Sequence, residues 1–399
     1  MTPDVALVEP MIASLESLFS EEETERIARQ TKFIERSTSR LSGRMFLMMN
    51  VLRAEGHLYQ SLKDQCFYLQ EVFGISMKKQ SLDERYGAQA VEFMRACFAT
   101  VLSASAKADG KPELSSGLKA IHLCDSTSFK LSDSLKDMFP GSGTAAGVKI
   151  FYSFELLSGR CTGIEWVGGK RNDTYHLGSI EKNIEPKSLY IKDLGFWDTK
   201  HFGRIHQADA YFITRYKVPN RIYCKVEGVL TQLDLQIRLE SVENPIVIED
   251  LFLGDDQIPV RLHVEKVSDD IAQKRKIKIL QKAASNKANS SDLSLFLCQY
   301  TIFITNAPAE VLPIEHIRVF YMLRWQIELI FKAWKSVFEI ERVQRMNPHR
   351  FECYLMGKLM AVLLSTNLQN LIKTQLWEEE QFEISEWKAH KLFKKNSVN

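Results

Sequence analysis

The sequence contains no CxxC pair. Its seven cysteines (Cys66, Cys97, Cys124, Cys161, Cys224, Cys298 and Cys353) are scattered singly, an odd, dispersed set that argues against a disulfide framework or a zinc ribbon and fits a reducing compartment. The nine histidines form no HExxH motif; His201 and His206 are five apart, a spacing that splays them around a helix. No apolar run approaches the ~18 residues of a membrane span; the longest, near Met45–Leu52 and Leu359–Leu364, are core-sized. The opening MTPDVALVEP lacks a basic region followed by an apolar one, so no secretory signal is expected. Neither sign of charge prevails: 52 Lys and Arg face 50 Asp and Glu, a net charge of +2, which neither requires nor excludes a polyanionic partner. Internal repeats and low-complexity tracts are missing too. What remains is a 399-residue chain that is 45% hydrophobic and 26% charged, a globular composition suited to two or three domains.

Residues 1–115 read as helical, a candidate region for binding DNA ends. Ser20-Glu21-Glu22-Glu23 has the pattern of a capping box, and Ser81-Leu82-Asp83-Glu84 repeats it. The span Gly74–Ser81 separates two helical stretches in a loose likeness to a helix-turn-helix, although two packed helices joined by a turn also build ordinary cores. Lys107–Ser116 reads as a linker. From Ala120 the period shortens: IHLCDSTSFKL, GVKIFYSFELLSG and CTGIEWVGG read as a strand meander, SLYIKDLGF as a fourth run ending at Asp193, DTKHFGRIHQA as a helix capped by Asp198, and YFITRY as a fifth strand. Strands followed by helix–strand alternation indicate an α/β sheet. Within 219–312, YCKVEGV, LQIRLES, PIVIEDLFL, PVRLHVEKV and SLFLCQYTIFITN read as a β-rich block around a basic stretch, Gln273–Lys287. A long helix is expected from Pro313 to about Phe338. The rest, 351–399, is helical and passes from acidic (Glu378–Glu380) to basic (Lys388, Lys391, Lys394, Lys395).

The segment Tyr321–Lys335 carries the densest chemistry. At about 100° per residue, Tyr321, Arg324, Glu328 and Lys335 fall at roughly 0°, −60°, −20° and −40°, one stripe ~60° wide. A solvated face with ion pairs is the ordinary explanation of such a stripe. Here Trp325, Ile327, Phe331 and Trp334 make most of the remaining circumference apolar, so the helix is expected to be largely buried. Buried charges need partners or a metal. Two more carboxylates stand where strands would deliver them: Asp125 within the first strand and Asp193 at the end of the fourth. Singly, each has a plain explanation in backbone hydrogen bonding or turn formation. Together with Glu328 they make an all-oxygen set of the kind Mg²⁺ favours.

The DSTSF context of Asp125, the YIKDLGF of Asp193 and the Y-(2)-R-(3)-E-(6)-K spacing resemble the DDE transposases of bacterial insertion sequences that carry the YREK signature. The likeness spans roughly residues 116–365. It implies an α/β fold with an RNase H-like catalytic core (116–218 and 313–350), a β-strand insertion (219–312), and flanking N- and C-terminal helical regions, the last (351–399) a candidate for dimer contacts. It further implies that Asp125, Asp193 and Glu328 are catalytic ligands of Mg²⁺, with Mn²⁺ an acceptable substitute. Tyr321, Arg324 and Lys335 become contacts to DNA phosphates beside the cleaved bond. The implied partners are the inverted-repeat ends of a mobile element, target DNA and a second copy of the chain, in the bacterial cytosol or nucleoid with no membrane. Lys274, Arg275, Lys276, Lys278, Arg342, Arg345 and Arg350 are candidates to extend the DNA footprint. Two rivals stay open: a non-catalytic, inhibitory or domesticated DNA-binding derivative, and a structure-specific nuclease on the same core.

Overall fold

The computed structural model describes residues 13–36, 39–52, 61–105, 117–143, 145–180, 182–240, 245–285 and 291–380. The expected linker at Lys107–Ser116 and the basic tail at Lys388–Lys395 lie outside them. Helices α1 (Glu21–Gln30), α2 (Gly43–Val51), α3 (Leu62–Phe73), α4 (Lys79–Asp83) and α5 (Ala88–Ser105) precede strands β1 (Ala120–Leu131), β2 (Ala146–Glu155), β3 (Cys161–Gly168) and β4 (Ser188–Ile191). Next come α6 (Thr199–Gln207), β5 (Tyr211–Arg215), β6 (Ile222–Val226), β7 (Val229–Gln232), α7 (Leu235–Leu239), β8 (Ile246–Leu253), β9 (Ile258–Lys266), α8 (Asp269–Ser285) and β10 (Tyr300–Thr305). The chain closes with α9 (Ile314–Met322), α10 (Trp325–Ser336) and α11 (Pro348–Glu380). Among the described residues no helix is long and apolar enough to cross a membrane.

Contacts divide the chain into two compact units. One comprises Met1–Gly110, Ser126–Arg171 and Gln326–Asn399, and the other Lys111–Asp125 and Asn172–Trp325. In the first, Ser20 caps α1 by accepting from the Glu23 amide at 3.1 Å, while the Glu23 carboxylate pairs with Arg26. The second expected capping box does not cap. Gly74, left-handed at φ 67°, closes α3, and α4 starts after Lys78, so Ser81 falls inside that helix. An aromatic cluster of Phe33, Phe46, Tyr86 and Phe93 joins the N-terminal helices, with ring centroids 4.6–6.3 Å apart. Helix α11 approaches α2 so closely that a Cβ on Gly357 would run into the Asn50 carbonyl. Helix α10 is seated by Trp334, fully buried and 4.9 Å from the ring of Tyr152 on β2.

In the second unit the strand order is β1-β4-β5-β10-β9-β8-β6-β7. β1, β4 and β5 run parallel, and the remaining pairings are antiparallel. Residues 219–312 thus continue the sheet outward from β5. LQIRLES, expected as a strand, forms α7 instead: the Asp234 carboxylate accepts from the amides of Gln236 and Ile237 and nucleates a turn of helix. The basic stretch after Gln273 lies in α8. Asp198 caps α6 as expected, through the His201 amide at 3.2 Å. Beneath the sheet, Phe202 stacks on Phe212 at 4.4 Å within a core that also holds Tyr190, Leu262 and Ile304.

Two stability measurements test this packing. In an open helix Gly→Ala gains about 1 kcal/mol, but at Gly357 the added Cβ meets backbone, so G357A should instead lose about 1–3 kcal/mol by denaturant titration. On the same helix Lys358 is 3% exposed and donates from Nζ to the carbonyls of Phe338 and Glu339, at 3.0 and 2.6 Å. Burial pushes its ammonium down to about 7, against the opposing pull of Glu339. The unfolded lysine keeps its proton to about pH 10.4, so between pH 7 and 10 the unfolded state binds more protons and the native state gains stability as pH rises. K358M abolishes that gain: wild type should strengthen relative to the variant by at most about 1.4 kcal/mol per pH unit across this window.

Candidate active site

Strand register builds the site. Leu123 of β1 pairs with Ile191 of β4, and Ile191 with Ile213 of β5. Two residues further along each parallel strand stand Asp125, Asp193 and Arg215. Side chains alternate with period two, so the three share one level and one face just past the parallel pairing, Asp125 midway along β1, Asp193 beyond the end of β4 and Arg215 at the end of β5, on the carboxyl side, where open α/β sheets place their ligands. Asp193 heads a short turn, Leu194–Phe196, without a side-chain cap bond. Turn formation therefore does not account for its carboxylate.

That carboxylate is occupied in another way. Asp193 Oδ1 accepts from the Tyr321 hydroxyl at 3.3 Å and lies 3.6 Å from Arg215 Nη2 and 4.0 Å from Arg324 Nε. The other arm of Arg324, Nη1, is 3.5 Å from Asp125 Oδ2, so one guanidinium spans both carboxylates. Arg215 Nε also donates to the Tyr321 oxygen at 3.2 Å. Tyr321 is buried, with its ring 5.0 Å from Phe303. Burial raises its hydroxyl pKa, and Arg215 opposes that rise, so near neutral pH it stays a donor. Two like charges on neighbouring strands repel, and the two arginines offset the repulsion.

The single long helix expected over 313–338 is two helices. At Leu323 and Arg324 the bonding tightens to i→i−3, Leu323 N to Phe320 O at 3.0 Å and Arg324 N to Tyr321 O at 3.2 Å, which ends α9 before α10 begins. Tyr321 consequently belongs to the last turn of α9, Arg324 to the break between the helices and Glu328 to the first turn of α10, and the four-residue stripe is not continuous. Trp325, expected to be buried, is 55% exposed because it sits at this break. Tyr321 and Arg324 join Asp125 and Asp193 in the second unit, whereas Glu328 and Lys335 belong to the first. There Lys335 Nζ donates to the Ser128 carbonyl at 3.4 Å and lies 3.7 Å from Glu341. Among the described residues no three or more His, Cys, Asp or Glu side chains gather as a metal-holding group. The donor chemistry of Asp125 and Asp193 still fits a hard divalent cation: two carboxylates side by side, their charge already balanced by a cationic group that spans them.

Arg215 was not among the residues singled out from the sequence. The available signal was a charged residue closing an apolar strand, YFITR, but its value depends on knowing that β5 lies beside β4, which composition and period do not reveal.

Residues 117–364 match the family described as "Transposase DDE domain". The chain is 28% identical to the transposase for insertion sequence element IS231F of Bacillus thuringiensis subsp. israelensis, covering 96% of this chain and 84% of that protein. It is also 28% identical to the transposase for insertion sequence element IS1151 of Clostridium perfringens, with 94% and 84% covered. Among solved structures, a piggyBac transposase in a synaptic complex with hairpin DNA superposes with a TM-score of 0.51 at 10% identity, over 97% of this chain and 79% of that one. At that identity the likeness speaks to the fold, a mixed α/β architecture with an RNase H-like core. Since the matched region contains the carboxylate row, Tyr321, Arg324 and Glu328 alike, the chain belongs to the DDE transposase domain family.

Proposed function

We propose that this protein is a DNA transposase that cleaves phosphodiester bonds at the ends of an insertion sequence and transfers the 3′ ends to target DNA. The observation that carries the proposal is that Arg324 spans the carboxylates of Asp125 and Asp193, which stand two residues past the parallel β1–β4 pairing, in a chain of this family. Asp125, Asp193 and Glu328 would hold Mg²⁺ or Mn²⁺. Bound there, divalent ions supply Lewis-acid stabilisation of the attacking and leaving oxygens of an in-line displacement. The remaining work falls to the chain's own groups. Arg324 suits a two-donor grip on a phosphate next to the cut, and Lys335 a point-charge contact. Tyr321, held protonated, donates a hydrogen bond that fixes the Asp193 carboxylate. The inverted-repeat ends, the target duplex and a second copy of the chain complete the assembly. Residues 1–115 and 351–399 serve as the candidate end-binding and dimer-contact regions, and 116–218 with 313–350 as the catalytic core around the 219–312 insertion.

The ligand assignment is tested by D125N, D193N and E328Q, each of which removes a charge with little change in volume. Each should abolish Mg²⁺-dependent nicking of a plasmid carrying the element while leaving melting temperature and DNA retention in a gel close to wild type. Near-normal nicking by any one would strike that residue from the ligand set. A wild-type protein that retains DNA but never nicks it would favour the binding-only derivative instead.

Arg324 is tested separately with a salt series. If it contacts a phosphate, R324A should reduce the slope of log K for DNA against log salt by about 1, and R324K should recover only part of the lost affinity because an ammonium lacks the planar fork. A structural ion pair predicts a lower melting temperature with the slope unchanged.

A further inference from the structure

We propose that Arg215 and Arg324 form a resident counter-cation that occupies the Asp125–Asp193 row until DNA phosphates draw it away, so that metal capture and DNA binding are coupled. The inference rests on the reading of both aspartates as metal ligands.

Three contacts converge on a single oxygen. Asp193 Oδ1 faces the Tyr321 hydroxyl at 3.3 Å, Arg215 at 3.6 Å and Arg324 at 4.0 Å, and Arg324 reaches across to Asp125 at 3.5 Å. A divalent ion needs oxygens near 2.1 Å together with its own waters. Guanidinium groups 3.5–4.0 Å from these oxygens compete for the same carboxylates and repel a dication. Neither group can yield by losing a proton, because a guanidinium stays charged throughout the physiological range. The groups can yield only by moving to another anion.

The surroundings allow that move for Arg215. Its side chain is 42% exposed and lines a cavity of about 520 Å³ together with Arg275 and Lys278. Arg275 is fixed there by neutral acceptors, the Tyr300 carbonyl at 2.8 Å and the Thr301 hydroxyl at 3.0 Å. Arg215 is therefore placed between the Asp193 carboxylate and Tyr321 oxygen on one side and, on the other, the like charges of Arg275 and Lys278 in the cavity it lines, and a phosphate in that cavity would compete for it. A DNA strand brings phosphates for both arginines, and the vacated row then favours a divalent ion. By linkage, whatever factor DNA adds to metal affinity, metal adds to DNA affinity.

The test is a Mn²⁺ titration of the full chain, read from the electron paramagnetic resonance signal of free Mn²⁺, with folding checked by a melting curve. Without DNA, R215Q and R324Q should each bind Mn²⁺ about fivefold or more tightly than wild type. Adding a duplex copied from the DNA that flanks the reading frame should tighten Mn²⁺ binding by wild type and do so less for either variant. D193N should lose the site. Should both arginine variants bind Mn²⁺ no better than wild type while D193N loses it, the counter-cation idea is wrong and the ligand reading stands. If D193N binds as wild type does, the ligand reading itself fails.

Discussion

Everything in the second unit that bears on chemistry follows from the register of three parallel strands. Once Leu123, Ile191 and Ile213 are aligned, Asp125, Asp193 and Arg215 are forced into one row, because side-chain direction on a strand has a period of two and a slip of one residue would turn every member to the opposite face. That register is fixed from below. Tyr190, Phe202, Phe212 and Ile304 fill the core under the sheet, and the Asn306 side chain joins β10 to β5 by accepting from the Phe212 amide at 2.7 Å and donating to the Ala210 carbonyl at 2.9 Å. Apolar packing sets the register, and the register sets the charges.

The charges then impose a requirement that packing cannot meet. Adjacent carboxylates need cations, and the fold provides them from two directions, Arg215 in the row itself and Arg324 from the break that follows α9. The loop before α9 is anchored to suit. Arg261, almost fully buried on β9, donates to the carbonyls of Ala307 and Pro308, at 2.7 and 3.2 Å, and to that of Leu312. Burial lowers the Arg261 pKa, with Glu249 and Glu310 opposing, but a guanidinium so bonded keeps its charge. A buried arginine thereby fixes the start of the helix whose far end delivers Tyr321 and Arg324.

Much of this was legible in the sequence, and most of the failures arise where tertiary context decides. Asp125 and Asp193 could be found because a carboxylate bounded by apolar strand residues violates the local pattern. Ser20 and Asp198 announced their caps because capping depends on neighbours three residues apart. The break at Leu323–Arg324 had no such signal: there is no Gly or Pro between Ile314 and Ser336, and propensity favours one continuous helix until tertiary contacts override it. LQIRLES alternates like a strand, and only the Asp234 cap tips it into α7. Arg215 is the same case at larger range, since its meaning lies in which strand neighbours it. Local rules succeeded at the Ser20 and Asp198 caps, missed a competing local cap at Asp234, and failed at the helix break and at Arg215, where the partner is distant in sequence.

The helix that carries Glu328 shows a different strategy. Trp334 anchors α10 to Tyr152 by apolar contact. Beyond the helix, Glu339 takes a left-handed φ of 46° and the chain turns, with Ile340 N returning to Trp334 O at 3.1 Å. The carbonyls exposed by that turn are claimed by the buried Lys358 ammonium, which also lies 4.9 Å from the Tyr354 ring. Burying an ammonium is costly, and a methionine would fill the same volume more cheaply, so the lysine earns its place through the two carbonyls it satisfies. The turn beyond α10 is in this way tied by short bonds to carbonyls, whereas the guanidinium groups over the aspartate row lie 3.5–4.0 Å from the carboxylate oxygens, with Arg215 also bonded to the Tyr321 oxygen.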